Sequence, residues 1–361
     1  MLSRGWKRAF RSVLPVVLAS TLGLAGGWIT ATRSHPTAPA SGSGSLFFFP
    51  DNLMPSLRGK AAGAEMLRTL TTGDPAGCMT ARESWKEIVM TENFGFEYGA
   101  LDWLCEYKTA SADRQAQMIA ENADGGRVVD YFEGVGWQRL AEYLVQRYRL
   151  PESDPTLRPM KEADYGFVEE LLCFGGPQRA GWEHPDDILR TLDVHAGMDI
   201  ADLGAGTGYM TYRFSDAVGP TGHVYALDIF ARFLALIDHI VEKEGRTNIT
   251  TVHNRDSDLT MPADSVDLVW ICNVYHQFYG MTREADRAAL LQSIHATLRP
   301  GGRLVVLENT PEAELPPGVL YHSGHAISAS LIIPQLTAYG FHFTARHDLI
   351  PQRYILEFEE P

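Results

Sequence analysis

The stretch Asp202-Leu203-Gly204-Ala205-Gly206-Thr207-Gly208 decides the fold of this 361-residue chain. It joins a short apolar run, Asp199–Leu203, to a segment of helical periodicity, Tyr209–Ala217, which is the pattern of a strand, a glycine turn and a helix. Glycines are needed where the backbone turns sharply and where a ligand approaches the main chain closely. The N-terminus of the following helix adds free amides and partial positive charge. The stretch therefore predicts a ligand site at the first strand-to-helix turn.

Strands and helices alternate along the chain on both sides of this turn. Further strands are predicted at His223–Leu227, Ile249–Val252, Val266–Cys272 and Arg303–Leu307. Helices are predicted at Asp186–Leu192, Arg232–Glu244, Arg283–Thr297 and Ala326–Tyr339, and two extended segments, Phe341–His347 and Arg353–Phe358, follow. Strands that alternate with crossover helices specify a doubly wound, parallel α/β sheet.

An acidic residue, Asp228, ends the second predicted strand, 20 residues after Gly208. A carboxylate at this position accepts both hydroxyls of a ribose, so the ligand is predicted to be a nucleoside. The dinucleotide fingerprint is G-x-G-x-x-G, whereas here an acid precedes three glycines at every second position. The acid disfavours a pyrophosphate neighbour and favours the cationic amino group of a methionine moiety. The spacing thus argues against a nicotinamide oxidoreductase.

From about residue 180 to residue 361, the sequence resembles the class I S-adenosylmethionine-dependent methyltransferases. Beyond the glycine turn, the matching segments are Val224-Tyr-Ala-Leu-Asp228, Asn254-Arg-Asp-Ser257, Val266–His276 and Leu298–Glu308. The resemblance implies a mostly parallel, seven-stranded sheet with an antiparallel last strand. It also implies S-adenosylmethionine as the cofactor and methyl transfer by in-line displacement, which depends largely on alignment of the reactants.

The resemblance further implies a cofactor site at the ends of the first four strands. Its predicted residues are Asp202, Gly204, Ala205, Gly206, Gly208, Asp228, Ile229, Asp256, Ser257 and Asn273. Within this set, Asp228 holds the ribose hydroxyls and Ile229 packs on the adenine. Asp256 and Ser257 face the adenine amino group, and the backbone of Asn273 faces the methionine amino group.

Candidate catalytic residues follow the fourth predicted strand, where open α/β sheets place their ligands. His276 is the candidate general base, which is required only if the acceptor carries a proton at neutral pH; packing and recognition of substrate shape are the alternatives. Tyr275 beside it is expected to shape the pocket. His322 and His325 are candidates for substrate contact, and their spacing is insufficient to predict a metal site.

The N-terminus has the pattern of a signal or membrane-anchor segment, residues 1–33, followed by a Pro/Ser/Gly linker, residues 34–50. Four basic residues precede the apolar run Val13–Ile29, and cleavage at Ala25-Gly26-Gly27, near the end of the run, is the alternative to an uncleaved anchor. Residues 51–178 are predicted to be a helical accessory region that precedes the methyltransferase domain, residues 179–361. Export of the body would make Cys78 and Cys105 a candidate disulfide pair.

The net charge of the chain limits the kinds of partner that it can bind. The chain carries a net charge of −14, and five basic residues and no acid lie within residues 1–35, so the remainder carries −19. Such a body repels a phosphate backbone, so nucleic acid is excluded and a small-molecule or lipid-like acceptor is predicted. The basic N-terminus is expected to remain in the cytoplasm and to send the body across the membrane, where S-adenosylmethionine is not expected. A non-catalytic Rossmann-like binding or scaffold protein at the membrane therefore remains the alternative.

Overall fold

The computed structural model describes residues 55–91, 97–151, 156–280, 283–320 and 325–360. The predicted anchor and linker, and also His322, lie outside the described residues. In the part that is described, no helix is both long enough and apolar enough to cross a membrane.

Nine helices precede the first strand in the described part of the chain. They are α1 (Leu57–Thr72), α2 (Pro75–Thr91), α3 (Tyr98–Thr109), α4 (Ala112–Glu121), α5 (Ala123–Val135), α6 (Gln138–Tyr148), α7 (Glu162–Phe174), α8 (Arg179–Glu183) and α9 (Pro185–Thr191). Three begin at side-chain caps, because Ser56, Ser111 and Asn122 each accept a hydrogen bond from a first-turn amide. Cys78 on α2 and Cys105 on α3 form a disulfide.

The rest of the chain forms the predicted α/β sheet. Its elements are β1 (Asp199–Leu203), α10 (Tyr209–Val218), β2 (His223–Asp228), α11 (Ala231–Glu244), β3 (Ile249–His253), β4 (Val266–Cys272), α12 (Tyr275–Gly280), α13 (Glu284–Thr297), β5 (Leu298–Asn309), α14 (Ala329–Ala338), β6 (His342–Ile350) and β7 (Arg353–Glu359). The strand order is β3-β2-β1-β4-β5-β7-β6, and β7 pairs antiparallel to both of its neighbours. This confirms the predicted mostly parallel sheet of seven strands.

Strand β5 is longer than the sequence predicts. Leu298 pairs with Val266 and Arg303 pairs with Leu268, so residues 299–302 bulge out of the ladder between these two pairs. The Arg-Pro-Gly-Gly segment is therefore an irregularity within the strand, and the register shifts there. Beyond it, pairing with β4 is regular from Arg303 to Leu307, and the strand carries Glu308 to the carboxyl edge of the sheet.

The sheet lies between two hydrophobic cores, because successive residues of each strand face opposite sides. Ile200 and Trp270 pack into a core that extends through the N-terminal helices to Phe132. Ala201 and Ile271 pack into the second core, which lies against α13 and α14. The helical region and one face of the sheet thus share a single core.

Ion pairs at the edge of the shared core attach the helices to the sheet domain. Arg213 of α10 donates to Asp124 over 2.6 Å, and Arg127 of α5 donates to Glu244 of α11 over 2.8 Å. Between them, the ring of Phe167 on α7 stacks on Phe233 of α11 at a centroid distance of 5.1 Å. Helix α7 is therefore fixed beside the segment that follows β2.

A buried ionic cluster lies inside the helical region. Arg147 donates from Nε to Glu97 Oε1 over 2.7 Å and lies 3.8 Å from Glu169 Oε1. Tyr148 donates to the first carboxylate and Tyr165 to the second. Burial raises the pKa of Glu169 to about 7 against the opposing effect of Arg147. One cation thus compensates two buried carboxylates.

Substitution of Arg147 by methionine is expected to lower the free energy of unfolding by about 3–5 kcal/mol, because it leaves buried charge without a partner. An acid with a raised pKa in the folded state favours folding at low pH and loses that effect as the pH rises. The loss should therefore be larger at pH 8 than at pH 5, measured by urea unfolding. A triple variant that also carries Glu97→Leu and Glu169→Leu should recover stability. Equal unfolding midpoints for Arg147→Met and the wild type would contradict the role of the cluster.

Candidate active site

A cavity opens at the carboxyl ends of β1, β2 and β4. Strand β1 lies between β2 and β4, so the cavity is at the point where the strand order reverses, which is where open α/β sheets bind ligands. Predicted site residues in its wall are Asp202, Gly204, Ala205, Gly206, Asp228, Ile229, Asn273 and His276.

The glycine turn after β1 forms the floor of this cavity. The amides of Gly204 and Ala205 both donate to the carbonyl of Leu227, which fixes the turn against β2. Gly204 has a φ of +78°, and a Cβ there would lie 2.5 Å from Cγ2 of Val274. A side chain is therefore excluded by both conformation and space.

Gly208, predicted as a cofactor residue, does not line the cavity. Its φ is +83° and it caps the N-terminus of α10, where a Cβ would lie 2.7 Å from the ring of Tyr212. The structure gives this glycine a role in closing the turn onto the helix, because only a residue without a side chain fits between the two.

Asp202 is the penultimate residue of β1 and is buried beneath the glycine turn. Its Oδ2 accepts a hydrogen bond of 2.6 Å from the hydroxyl of Thr211 on α10. Burial raises the pKa of Asp202 to about 6; the hydrogen bond and the nearby cation Arg179 oppose the rise, and Asp228 adds to it. A cationic ligand group in the cavity would relieve this penalty.

Asp228 ends β2 with both carboxylate oxygens held by the backbone. Gly206 donates its amide to Oδ2 over 2.9 Å, and Phe230 donates to Oδ1 over 2.8 Å. Burial raises the pKa of Asp228, and these two amide hydrogen bonds oppose the rise. The carboxylate is thus oriented before a ligand binds, and each oxygen keeps a lone pair for a ribose hydroxyl.

Asp256 and Ser257, which were predicted to face the adenine amino group, do not line the cavity. Arg255 and Asp258 form a β-bridge, and the tight turn between them carries both residues away from the cavity. Asn254 lines the cavity instead, and its buried Oδ1 has no hydrogen-bond partner among the described residues. Asn254 is therefore the candidate acceptor for an adenine amino group.

Substitution of Asn254 by alanine is expected to weaken binding of S-adenosylhomocysteine by about three- to tenfold, the effect of one neutral hydrogen bond. Asp256→Ala, two residues away and exposed, is the matched control and should bind like the wild type. Calorimetric titration measures both. A larger loss of affinity in Asp256→Ala than in Asn254→Ala would instead support the prediction that Asp256 faces the adenine amino group.

Asn273 follows β4 with a φ of +56°, and its buried Oδ1 also has no partner within the part of the chain that the structure describes. Its amide donates to the carbonyl of Leu307 over 2.8 Å, which fixes the residue against β5. A non-glycine residue in this conformation at a ligand cavity indicates a local functional constraint. Asn273 and Asn254 thus present two unfilled acceptors to one cavity, which suits a ligand with two amino groups.

His276 forms a pair with Glu308, a residue that the sequence prediction missed. The imidazole Nδ1 lies 3.0 Å from Oε2 of this fully buried carboxylate, and the amide of His276 donates to Oε1 over 3.0 Å. In a neutral imidazole, this contact with a carboxylate places the proton on Nδ1 and leaves the lone pair on Nε2. Nε2 is buried and has no hydrogen-bond partner among the residues that the structure describes, an arrangement suited to a general base.

Tyr275, predicted to shape the pocket, is not in the cavity wall. Its ring is completely buried in the second core, and its hydroxyl donates to Oε1 of Gln335 on α14 over 2.6 Å. The hydrogen bond to Gln335 holds the ring of Tyr275 in this core, whereas His276 beside it lines the cavity. The structure gives Tyr275 a packing role and leaves His276 as the candidate base.

The cavity also receives residues that the sequence did not indicate. Glu170 and Phe174 of α7 and Arg179 of α8 line it from the helical region. Arg179 is held by both oxygens of Glu183, and its guanidinium lies 4.0 Å from the centroid of the Tyr209 ring. Their positions follow from the docking of the helices, which no local pattern specifies.

His325 lies beside the candidate base, with its ring stacked on His276 at a centroid distance of 5.0 Å. Its backbone carbonyl accepts from Asn309, which accepts in turn from the buried Arg353. Burial and the neighbouring His276 lower the pKa of His325. Among the described residues there is no group of three side chains suited to holding a metal ion.

Known proteins were compared with this chain. Residues 161–336, just under half of the chain, match the sequence model of the ubiE/COQ5 methyltransferase family. A demethylmenaquinone methyltransferase of Geobacillus stearothermophilus is 31% identical over 148 residues, which cover 41% of this chain and 59% of that protein. A ubiquinone/menaquinone biosynthesis C-methyltransferase of Pseudoalteromonas translucida is 32% identical over 155 residues, covering 42% and 58%. The chain thus matches less than two thirds of the length of these relatives.

Among solved structures, a SAM-dependent methyltransferase from Aquifex aeolicus aligns with a TM-score of 0.45 and 16% identity, over 51% of this chain and 94% of that one. The strand order, the glycine turn and the family match together define the α/β part of the chain as a domain of the S-adenosylmethionine-dependent methyltransferase class. Within that class, its sequence is similar to the ubiE/COQ5 methyltransferases.

Proposed function

We propose that the protein transfers the methyl group of S-adenosylmethionine to a hydroxylated, quinol-like aromatic acceptor. The observation that carries this proposal is the His276–Glu308 pair, in which His276 lines the cofactor cavity and Glu308 is fully buried behind it. A general base is useful only for an acceptor that must lose a proton. The names of the relatives, which are quinone methyltransferases, support the same class of acceptor.

The bound cofactor supplies an electrophilic methyl group on a sulfonium sulfur. Nε2 of His276 takes the proton of an acceptor hydroxyl, and Glu308 stabilises the imidazolium that forms. The electron pair released from the O–H bond, delocalised into the ring, forms the new carbon–carbon bond. The bond between methyl and sulfur breaks, and its electrons remain on sulfur as S-adenosylhomocysteine. The methylated carbon then loses its ring proton to solvent, which restores the aromatic ring, and the imidazolium of His276 returns its proton to the acceptor oxygen.

The test uses the purified full chain, S-adenosylmethionine with a labelled methyl group, and reduced demethylmenaquinone with a short isoprenoid tail in detergent. Label is expected in the organic phase. The oxidised quinone is the matched control and should accept no label, because it has no hydroxyl proton to lose. Binding of S-adenosylhomocysteine without transfer to phenolic or quinol acceptors would favour the binding or scaffold protein instead.

We propose further that the N-terminal segment anchors the protein in a membrane or exports it. The apolar run Val13–Ile29 supports this, and so does the Cys78–Cys105 disulfide, since disulfides persist in oxidising compartments. A hydrophobic acceptor would also be reached from a membrane surface. A reporter fused to the C-terminus, combined with thiol labelling of both cysteines in intact cells, tests the proposal. A soluble cytoplasmic reporter with both thiols reactive would contradict it.

A further inference from the structure

Helix α7 carries two consecutive glutamates with different surroundings. Glu169 faces the interior of the helical region, where it meets Arg147 and Tyr165. Glu170 points about 100° away and lines the cofactor cavity, as does Phe174 one turn later. The helical region therefore contributes a carboxyl group to a site that is otherwise built by the sheet domain.

The carboxyl group of Glu170 has no hydrogen-bond donor among the residues that the structure describes. Asp228, at the end of β2, lines the same cavity, and besides burial its charge helps to raise the pKa of Glu170. The oxygens of Asp228, in contrast, are already oriented by the amides of Gly206 and Phe230. Asp202, the third acid in the cavity wall, accepts from Thr211, so Glu170 is the acid of the three that has no donor in the described part of the chain.

Two carboxyl groups in one buried site do not ionise together easily. Burial, with the charges of Asp228 and Glu169, raises the pKa of Glu170 to about 8, against the opposing effect of Arg232 on α11. Other titratable or charged groups that line the same cavity are Asp202, Arg179, Tyr209, Cys272, His276 and His325. The raised pKa favours the neutral form of Glu170, and a neutral acid can donate a hydrogen bond.

A ribose diol suits this pair of groups. Each hydroxyl donates one hydrogen bond and can accept others, so a diol that donates to the ionised Asp228 still needs a donor for its own oxygens. We infer that Glu170 is a cofactor-binding residue that donates a hydrogen bond from its neutral carboxyl group to a ribose hydroxyl held by Asp228. This inference rests on the proposed cofactor function of the cavity.

The test is calorimetric titration of the full chain with S-adenosylhomocysteine between pH 6.5 and pH 9.5. For the wild type, affinity is expected to fall about tenfold above pH 8, because Glu170 ionises in the free protein and loses its proton for donation. Glu170→Gln keeps a donor without a charge, so it should bind like the wild type at pH 7 and lose much less affinity at high pH. Titration of the ligand's own amino group affects the wild type and Glu170→Gln equally, so it does not contribute to the difference between them.

Glu170→Ala removes the donor and should bind about three- to tenfold more weakly at pH 7. With analogues of S-adenosylhomocysteine that lack the 2′- or the 3′-hydroxyl, this penalty should disappear for one of the two. Thermal unfolding of each free variant should match the wild type at pH 7, since the described structure gives the side chain no hydrogen bond to lose.

Three results would overturn this inference but not the proposed function. The first is wild-type affinity for S-adenosylhomocysteine in Glu170→Ala, and the second is the same pH dependence of affinity in Glu170→Gln as in the wild type. The third is a loss of affinity in Glu170→Gln as large as that in Glu170→Ala. The last result would mean that the site needs an ionised acceptor at this position. Absence of binding by the wild type would instead overturn the proposed function, and the inference with it.

Discussion

Substitution of Asp228 by alanine is expected to weaken the binding of S-adenosylhomocysteine by about 100-fold. The carboxylate is held by two backbone amides and faces the cavity, so the wild type forms two charge-assisted hydrogen bonds to a ribose without reorganising. Each such bond contributes about 1.5–3 kcal/mol. Loss of two bonds at the lower value weakens binding by about 100-fold. Calorimetric titration at pH 7.5 measures it.

The matched control is Asp238→Ala, which removes the same charge from an exposed position on α11 outside the cavity. It should leave affinity unchanged. Burial raises the pKa of Asp228, so wild-type binding should also weaken on acidification, and this weakening should begin at a higher pH than for an exposed carboxylate. Equal affinities of Asp228→Ala and the control would contradict the assignment of the ribose site.

Substitution of His276 by alanine is expected to lower kcat for methyl transfer to a quinol by about 10²–10⁴-fold, the usual contribution of a general base. Affinity for S-adenosylhomocysteine should change little, because in the proposed mechanism Nε2 acts on the acceptor. Glu308→Gln should lower kcat towards the smaller end of that range. The amide keeps the shape of the side chain but cannot stabilise an imidazolium as a carboxylate does. Glu308 is thus a positioning residue in this scheme.

The chain offers a matched control for this pair. His295 on α13 contacts Glu360 through Nδ1 and the carbonyl of Tyr339 through Nε2, so it is a second His–Glu pair, but it does not line the cavity. His295→Ala is therefore expected to affect thermal stability and to leave kcat nearly unchanged. If both histidine variants lowered kcat equally, the effect would be structural, and His276 would not be the base.

The sequence by itself determined the fold of the C-terminal half and the polar ends of its first two strands. Buried parallel strands are short, continuous apolar runs, and a turn that binds a ligand through its backbone needs glycine, so both features are local and visible. Strands β1 and β4 and the cavity positions of Gly204 and Asp228 follow from these patterns. His276 could be predicted for the same reason, because it follows a strand at the carboxyl edge of the sheet.

Only the tertiary structure decided which neighbours share the site. Asn254 and Asp256 are only two residues apart. Asn254 lines the cavity, whereas Asp256 lies in the tight turn between the paired residues Arg255 and Asp258 and is exposed to solvent. Glu308 and Glu170 approach the site from β5 and α7. Glu308 ends a segment that matches the family, but the segment does not show its contact with His276, and no local motif marks Glu170. Their roles depend on the pairing of distant strands and on the docking of one helical region across the sheet. Sequence periodicity specifies which residues are buried, but not what they meet.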